Sequence, residues 1–132
     1  MPITGMEADS TQNSSGVGFS VRVADRQGGG TVATVLGELD VASAGELKAA
    51  LARPLESDGE IELDLRACSF VDSMGIATLV NAARRLSHER RTLTIRGARD
   101  RVRRIFDLAG LSAHRCIVFE PENGDVARRD AG

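Results

Sequence analysis

In "GELDVASAGEL" (37–47) and in "SFVDSMGIATLVNAARRL" (69–86), an acid stands where a strand-like apolar run gives way to a helix-like one. Asp40 closes the first run; Asp72 and Ser73 close the second. An acid and a hydroxyl at such a joint allow two chemistries. A serine ahead of a helix can accept a first-turn N–H, the ordinary N-cap. The same hydroxyl can carry a phosphate, because a helix N-terminus offers free N–H groups and positive potential. A phosphate would add close to two negative charges. Asp40 and Asp72 would oppose them, so the effect would fall on a partner's docking and not on the fold. If the two strands are parallel neighbours, Asp40 and Ser73 approach over one carboxyl edge, where open α/β sheets form their sites. On spacing alone, Ser73 as a plain cap is the simpler reading.

Other chemistries find little support. There is no Ser-His-Asp set with a supporting motif, no G-x-G-x-x-G and no Walker sequence. The carboxylates read as solvated surface charge, and the chain is not expected to be an enzyme or to hold a cofactor. His88 and His114 have no second ligand at metal spacing, and Cys68 and Cys116, far apart in strand-like segments, read as two buried thiols. Residues 84–104 carry nine arginines against Glu89 and Asp100. That stretch reads as a solvated face or a surface for an acidic protein. Direct nucleic-acid binding is not expected, because the net charge is −2 and there is no Trp or Tyr to stack on bases. No apolar run is long enough to span a bilayer, and "MPITGMEADSTQNSSGVG" has no basic or apolar region of a secretory signal. A cytoplasmic protein without a membrane partner is expected.

The elements that must position the two joints follow from periodicity. With 132 residues, one domain is expected. Residues 1–17 read as a disordered tail, 18–120 as the domain and 121–132 as a flexible end. Phe19, Val21 and Val23 alternate as in a half-buried strand; "QGGG" signals a turn; "TVATVLGEL" (31–39) is a more central strand. Ser43 and Glu46 fit a capping box opening a helix with Ala44, Leu47, Ala50 and Leu51 on one face, and Pro54 should end it. "EIELDLR" (60–66) puts Ile61, Leu63 and Leu65 on one side. The second helix turns Ile76, Leu79, Val80, Ala83 and Leu86 inward. "TLTIRG" is a strand; "RDRVRRIFDLAG" is a helix with Val102, Ile105, Phe106 and Ala109 inward and Gly110 past its end; "CIVFE" is a last strand. The order β-β-α-β-α-β-α-β predicts a small α/β domain with a mixed, mostly parallel sheet and helices packed on it.

Three stretches, "LGELDVASAGEL" (36–47), "ACSFVDSMGIATLVNA" (67–82) and "VRRIFDLAGL" (102–111), together resemble the STAS family, in particular its small bacterial anti-sigma factor antagonists. The resemblance covers roughly residues 18–120. It implies a partner switch. The unphosphorylated domain binds an anti-sigma factor that is also a serine kinase, which frees a sigma factor; the kinase phosphorylates a serine at the start of a helix and the complex separates; a serine phosphatase resets it. The matching acceptor is Ser73. Asp40 matches the acid beside the site, and Gly75 matches a glycine that lets the backbone turn tightly into the helix. Where many relatives have a second hydroxyl, this chain has Met74, which makes the edge more apolar. The implied docking surface comprises Asp40, Asp72, Ser73, Met74 and Gly75 with Thr78, Asn81 and Arg85 on the exposed face of the second helix. The alternative is a non-switching STAS scaffold in which Ser73 is only a helix N-cap. The oligomeric state is left open by the sequence.

Overall fold

The computed structural model describes residues 18–120; the two expected tails lie outside the described residues. Strands β1 (Ser20–Asp25) and β2 (Thr31–Leu39) pair antiparallel, with Val21 opposite Val35 and Asp25 opposite Thr31. Their turn runs through Gly28, Gly29 and Gly30, all at positive φ, a region open to glycine at no steric cost. From β2 the chain repeats one unit. Helix α1 (Ala44–Glu56) leads to β3 (Ile61–Val71), α2 (Ser73–His88) to β4 (Leu93–Arg96), and α3 (Asp100–Leu108), with a 3-10 turn at Leu111–Ala113, to β5 (Ile117–Glu120). Strands β2 to β5 are parallel, and the sheet order is β1-β2-β3-β4-β5. The mixed α/β architecture expected from the alternation is the one observed.

The period-2 pattern of the strands decides which face is covered. Ala33, Val35, Ile61, Leu63, Leu65, Leu93, Ile95 and Ile117 are buried on one face, beneath Leu47, Leu51, Leu79, Leu86, Val102 and Phe106 of the helices. The opposite face carries charge in pairs: Glu62 with Arg26 and Arg96, Arg96 with Glu120, and Asp64 with Arg66. Of the nine arginines between 84 and 104, Arg91, Arg96, Arg99 and Arg103 are taken up by bonds within the fold, which makes much of that stretch structural.

The structure corrects several local expectations. Val23 is exposed, because β1 is an edge strand. Helix α1 continues two residues past Pro54. A proline in the last turn removes a single bond, and Pro54 itself is buried against the core. Ala109 is exposed, because α3 ends at Leu108 and Ala109 is its C-cap, ahead of Gly110 at φ 85°. Strand β3 is one long strand whose pairing with β2 shifts register twice, between Thr34 and Leu36 and between Gly37 and Glu38. Cys68 is buried and free, and burial pushes its thiol up; Cys116 is only part-buried, its thiol donating to the Ala83 carbonyl.

Candidate functional site

The parallel pairing of β2 and β3 puts Leu39 beside Val71, so the joints that follow them meet at one carboxyl edge. The backbone N–H of Asp72 donates to the Leu39 carbonyl at 3.0 Å, which ties the joints together.

Both joints are turned by an aspartate. Asp40 Oδ1 accepts the N–H groups of Ala42 (3.0 Å) and Ser43 (3.1 Å). The same pattern recurs 32 residues on, where Asp72 Oδ1 accepts Met74 N–H (2.9 Å) and Gly75 N–H (3.1 Å) at the start of α2. The expectation that Ser73 caps α2 is therefore corrected: Asp72 is the cap, with extended backbone at φ −108°, and Ser73 is the first helical residue. An acid ranks level with serine as an N-cap, so that signal was present one position earlier. The capping box at Ser43 and Glu46 does not form either. Ser43 is already in a helical conformation inside the Asp40 turn, and its Oγ donates to the Glu38 carbonyl at 2.7 Å while accepting Asp40 N–H at 2.9 Å.

With capping assigned to Asp72, the Ser73 side chain is exposed and makes no hydrogen bond to any described residue. It stands at a helix start whose Met74 and Gly75 N–H groups are already occupied by the Asp72 carboxylate. Asp72 Oδ2 adds a third bond, from Val41 N–H at 3.1 Å, which holds the neighbouring loop against the start of α2.

The remaining expected residues divide by exposure. Met74 is 47% exposed and Val41 68%, so the edge presents an apolar lip. Thr78 is half-buried, its Oγ1 donating to the Met74 carbonyl at 3.0 Å; Asn81 and Arg85 are exposed further along the same helix. Gly75 is buried. It does not turn the chain, since its φ is not positive. A Cβ there would lie 2.8 Å from Leu39 Cγ and 2.9 Å from the Leu39 carbonyl oxygen, so glycine is what lets α2 approach β2. It is a packing position.

Met74, Thr78, Asn81 and Arg85 line one wall of a groove of about 390 Å³ between α1 and α2; Val41, Lys48, Leu51 and Leu55 belong to the other. Val41 and Lys48 were not singled out by sequence reasoning. Among the described residues, no cluster of His, Cys, Asp or Glu could hold a metal ion, and no helix is long and apolar enough to cross a membrane.

A single mixed α/β sheet with helices on one face and an acid-capped helix at its carboxyl edge defines the fold class. Residues 23–118 match the family model described as Mlab, STAS domain, and the chain belongs to the STAS family. It is 36% identical over 77 residues to the anti-sigma-B factor antagonist of Staphylococcus aureus, covering 57% of this chain and 70% of that one. An anti-sigma factor antagonist from Mycobacterium paratuberculosis superposes with a TM-score of 0.63 at 25% identity, covering 76% of this chain and 85% of that one. The phosphorylated form of the Bacillus cell fate determinant SpoIIAA shares the fold with a TM-score of 0.59 at 19% identity, covering 86% of this chain and 99% of that one.

Proposed function

We propose that this chain is an anti-sigma factor antagonist controlled at Ser73. Its unphosphorylated form binds an anti-sigma factor that is also a serine kinase, and a sigma factor is thereby released. Phosphorylation of Ser73 separates the pair, and a serine phosphatase restores the binding form. The reading draws on the antagonist relatives and on one observation above all: the Ser73 hydroxyl is exposed and unengaged among the described residues because Asp72 does the capping. A phosphate could be added there without removing a bond that the fold uses. It would bring close to two negative charges to a surface already carrying Asp40 and Asp72. Docking would use Ser73, Met74, Thr78, Asn81 and Arg85, with Asp40, Asp72 and Gly75 shaping the edge beneath them. Asp72 and not Ser73 caps α2, so the alternative is a non-switching scaffold in which Ser73 has no capping role.

The test uses immobilised wild-type, Ser73→Ala and Ser73→Asp proteins to capture partners from the host lysate, with phosphosite mapping of the wild type after incubation with ATP. An ATP-binding serine kinase retained by wild type and Ser73→Ala, lost by Ser73→Asp, and able to phosphorylate Ser73 supports the switch. Recovery of one identical set by all three proteins refutes it. Thermal melts keep the comparison fair, because substitutions at an exposed position without partners change stability by only about 0.5 kcal/mol.

A further inference from the structure

We propose that the groove between α1 and α2 seats an acidic amphipathic helix of the anti-sigma partner. The proposal rests on the reading above and adds what docks and why a phosphate would dislodge it. Ala44 to Leu55 on α1 and Met74 to Arg85 on α2 wall the groove over the same number of residues. At a rise of about 1.5 Å per residue, that is a trough roughly 16 Å long, three helical turns. Two helices side by side present the kind of apolar furrow into which a third lays its i, i+3, i+4 and i+7 side chains.

The walls decide the chemistry of the occupant. Leu55 and Ala77 offer apolar surface over a floor that includes the buried Leu51, and the exposed Val41 and Met74 form the lip. The only charged residues lining the groove are Lys48 and Arg85, both exposed, neither with an ion-pair partner among the described residues. Lys48 is also the chain's single lysine. No acid lines the groove. Apolar walls with two unopposed cations fit an apolar stripe flanked by Asp or Glu and disfavour a basic one.

The sign of the switch agrees. Ser73 precedes Met74 at the lip, so a phosphate there adds close to two negative charges at the mouth of the groove. An acidic segment would be repelled by it, whereas a basic segment would be held more tightly. Release on phosphorylation requires the former.

The experiment is calorimetric titration of the full chain with the purified anti-sigma factor that the wild type retains. Lys48→Glu and Arg85→Glu are each expected to weaken binding about tenfold and together by more, and Lys48→Gln by less than Lys48→Glu. Arg104→Glu, an exposed cation on α3, should stay within about twofold of wild type. Charge reversal of the acids on one amphipathic helix of the partner should restore binding to Lys48→Glu. Circular dichroism melts confirm that each variant is folded. If Lys48→Glu and Arg85→Glu bind like wild type while Ser73→Asp does not, the groove proposal is overturned and the antagonist reading stands. If the wild type binds no anti-sigma factor, both fall together.

Discussion

The Asp72 carboxylate accepts the backbone N–H of Val41 at 3.1 Å through one oxygen while the other caps α2. One side chain thus joins the loop after β2 to the helix after β3. Asp72→Ala removes both functions and should cost about 2–3 kcal/mol, a lost cap plus a lost tie. Asp72→Asn keeps a capping oxygen but turns an NH₂ group toward the Val41 N–H, donor against donor, and should cost about 1 kcal/mol. Urea unfolding ranks the two variants. Hydrogen exchange adds a local readout, since the Val41 amide should exchange faster in both. Equal stability of Asp72→Ala and wild type would rule out this role.

Gly75 offers a contest between propensity and packing. Alanine in an exposed helix position gains about 1 kcal/mol over glycine. At Gly75 the added methyl meets Leu39 Cγ at 2.8 Å, the Leu39 carbonyl at 2.9 Å and Val71 Cγ1 at 3.0 Å. Overpacking of this kind costs about 1–3 kcal/mol, so Gly75→Ala should be destabilised on balance. A raised melting temperature in Gly75→Ala would show that α2 can move away from β2 cheaply.

The elements were legible wherever the pattern is local and repeated. Ile61, Leu63 and Leu65 alternate and are buried together; Leu79, Ala83 and Leu86 recur at helical spacing and face the core. The carboxyl edge was legible too, because βαβ order alone makes β2 and β3 parallel neighbours. What escaped depends on competition between adjacent groups. Asp72 and Ser73 are both good caps, and spacing cannot say which one turns extended and which one enters the helix. Ser43 fits a capping box by residue type, yet Asp40 starts its turn three residues earlier and takes the Ser43 N–H, while the Ser43 hydroxyl is engaged by the Glu38 carbonyl and the Asp40 N–H. The groove escaped for a different reason, since Lys48 and Arg85 come together only when α1 and α2 lie side by side.

Arg91 is a second long-range device. Its side chain is only 9% exposed, and its guanidinium donates to the carbonyls of Pro54 (2.9 Å), Leu55 (3.0 Å) and Gly59 (2.9 Å) and to Glu89 Oε1 (2.6 Å). It bonds carbonyls at and just beyond the C-terminal end of α1, where Ser57 supplies the local donors, to Pro54 and Arg53. Arg91→Met should cost about 3 kcal/mol by stranding these carbonyl acceptors, while the exposed Glu89 carboxylate returns to water. Arg91→Lys should recover little of it, because a single ammonium cannot reproduce the planar fork. Urea midpoints of the three proteins decide the matter, and a lysine variant as stable as wild type would argue against the fork.

Asp64 gives the acid limb of stability a direction. Burial pushes its carboxyl up, but the Arg66 guanidinium and backbone N–H, at 2.7–3.0 Å, together with the charges of Arg66 and Arg96, outweigh burial and hold it below its ordinary value. A folded-state pKa below the unfolded one means that the ionised form binds the fold more tightly. Its stabilisation is therefore fully present above the unfolded value of about 3.9 and is lost as pH falls through the folded value. Wild type should exceed Asp64→Asn in stability at about pH 7, and the gap should narrow only below about pH 4. Urea midpoints measured across that range read the gap directly. A difference between the two proteins that does not vary with pH would assign the effect of the substitution to packing and not to the carboxylate's charge.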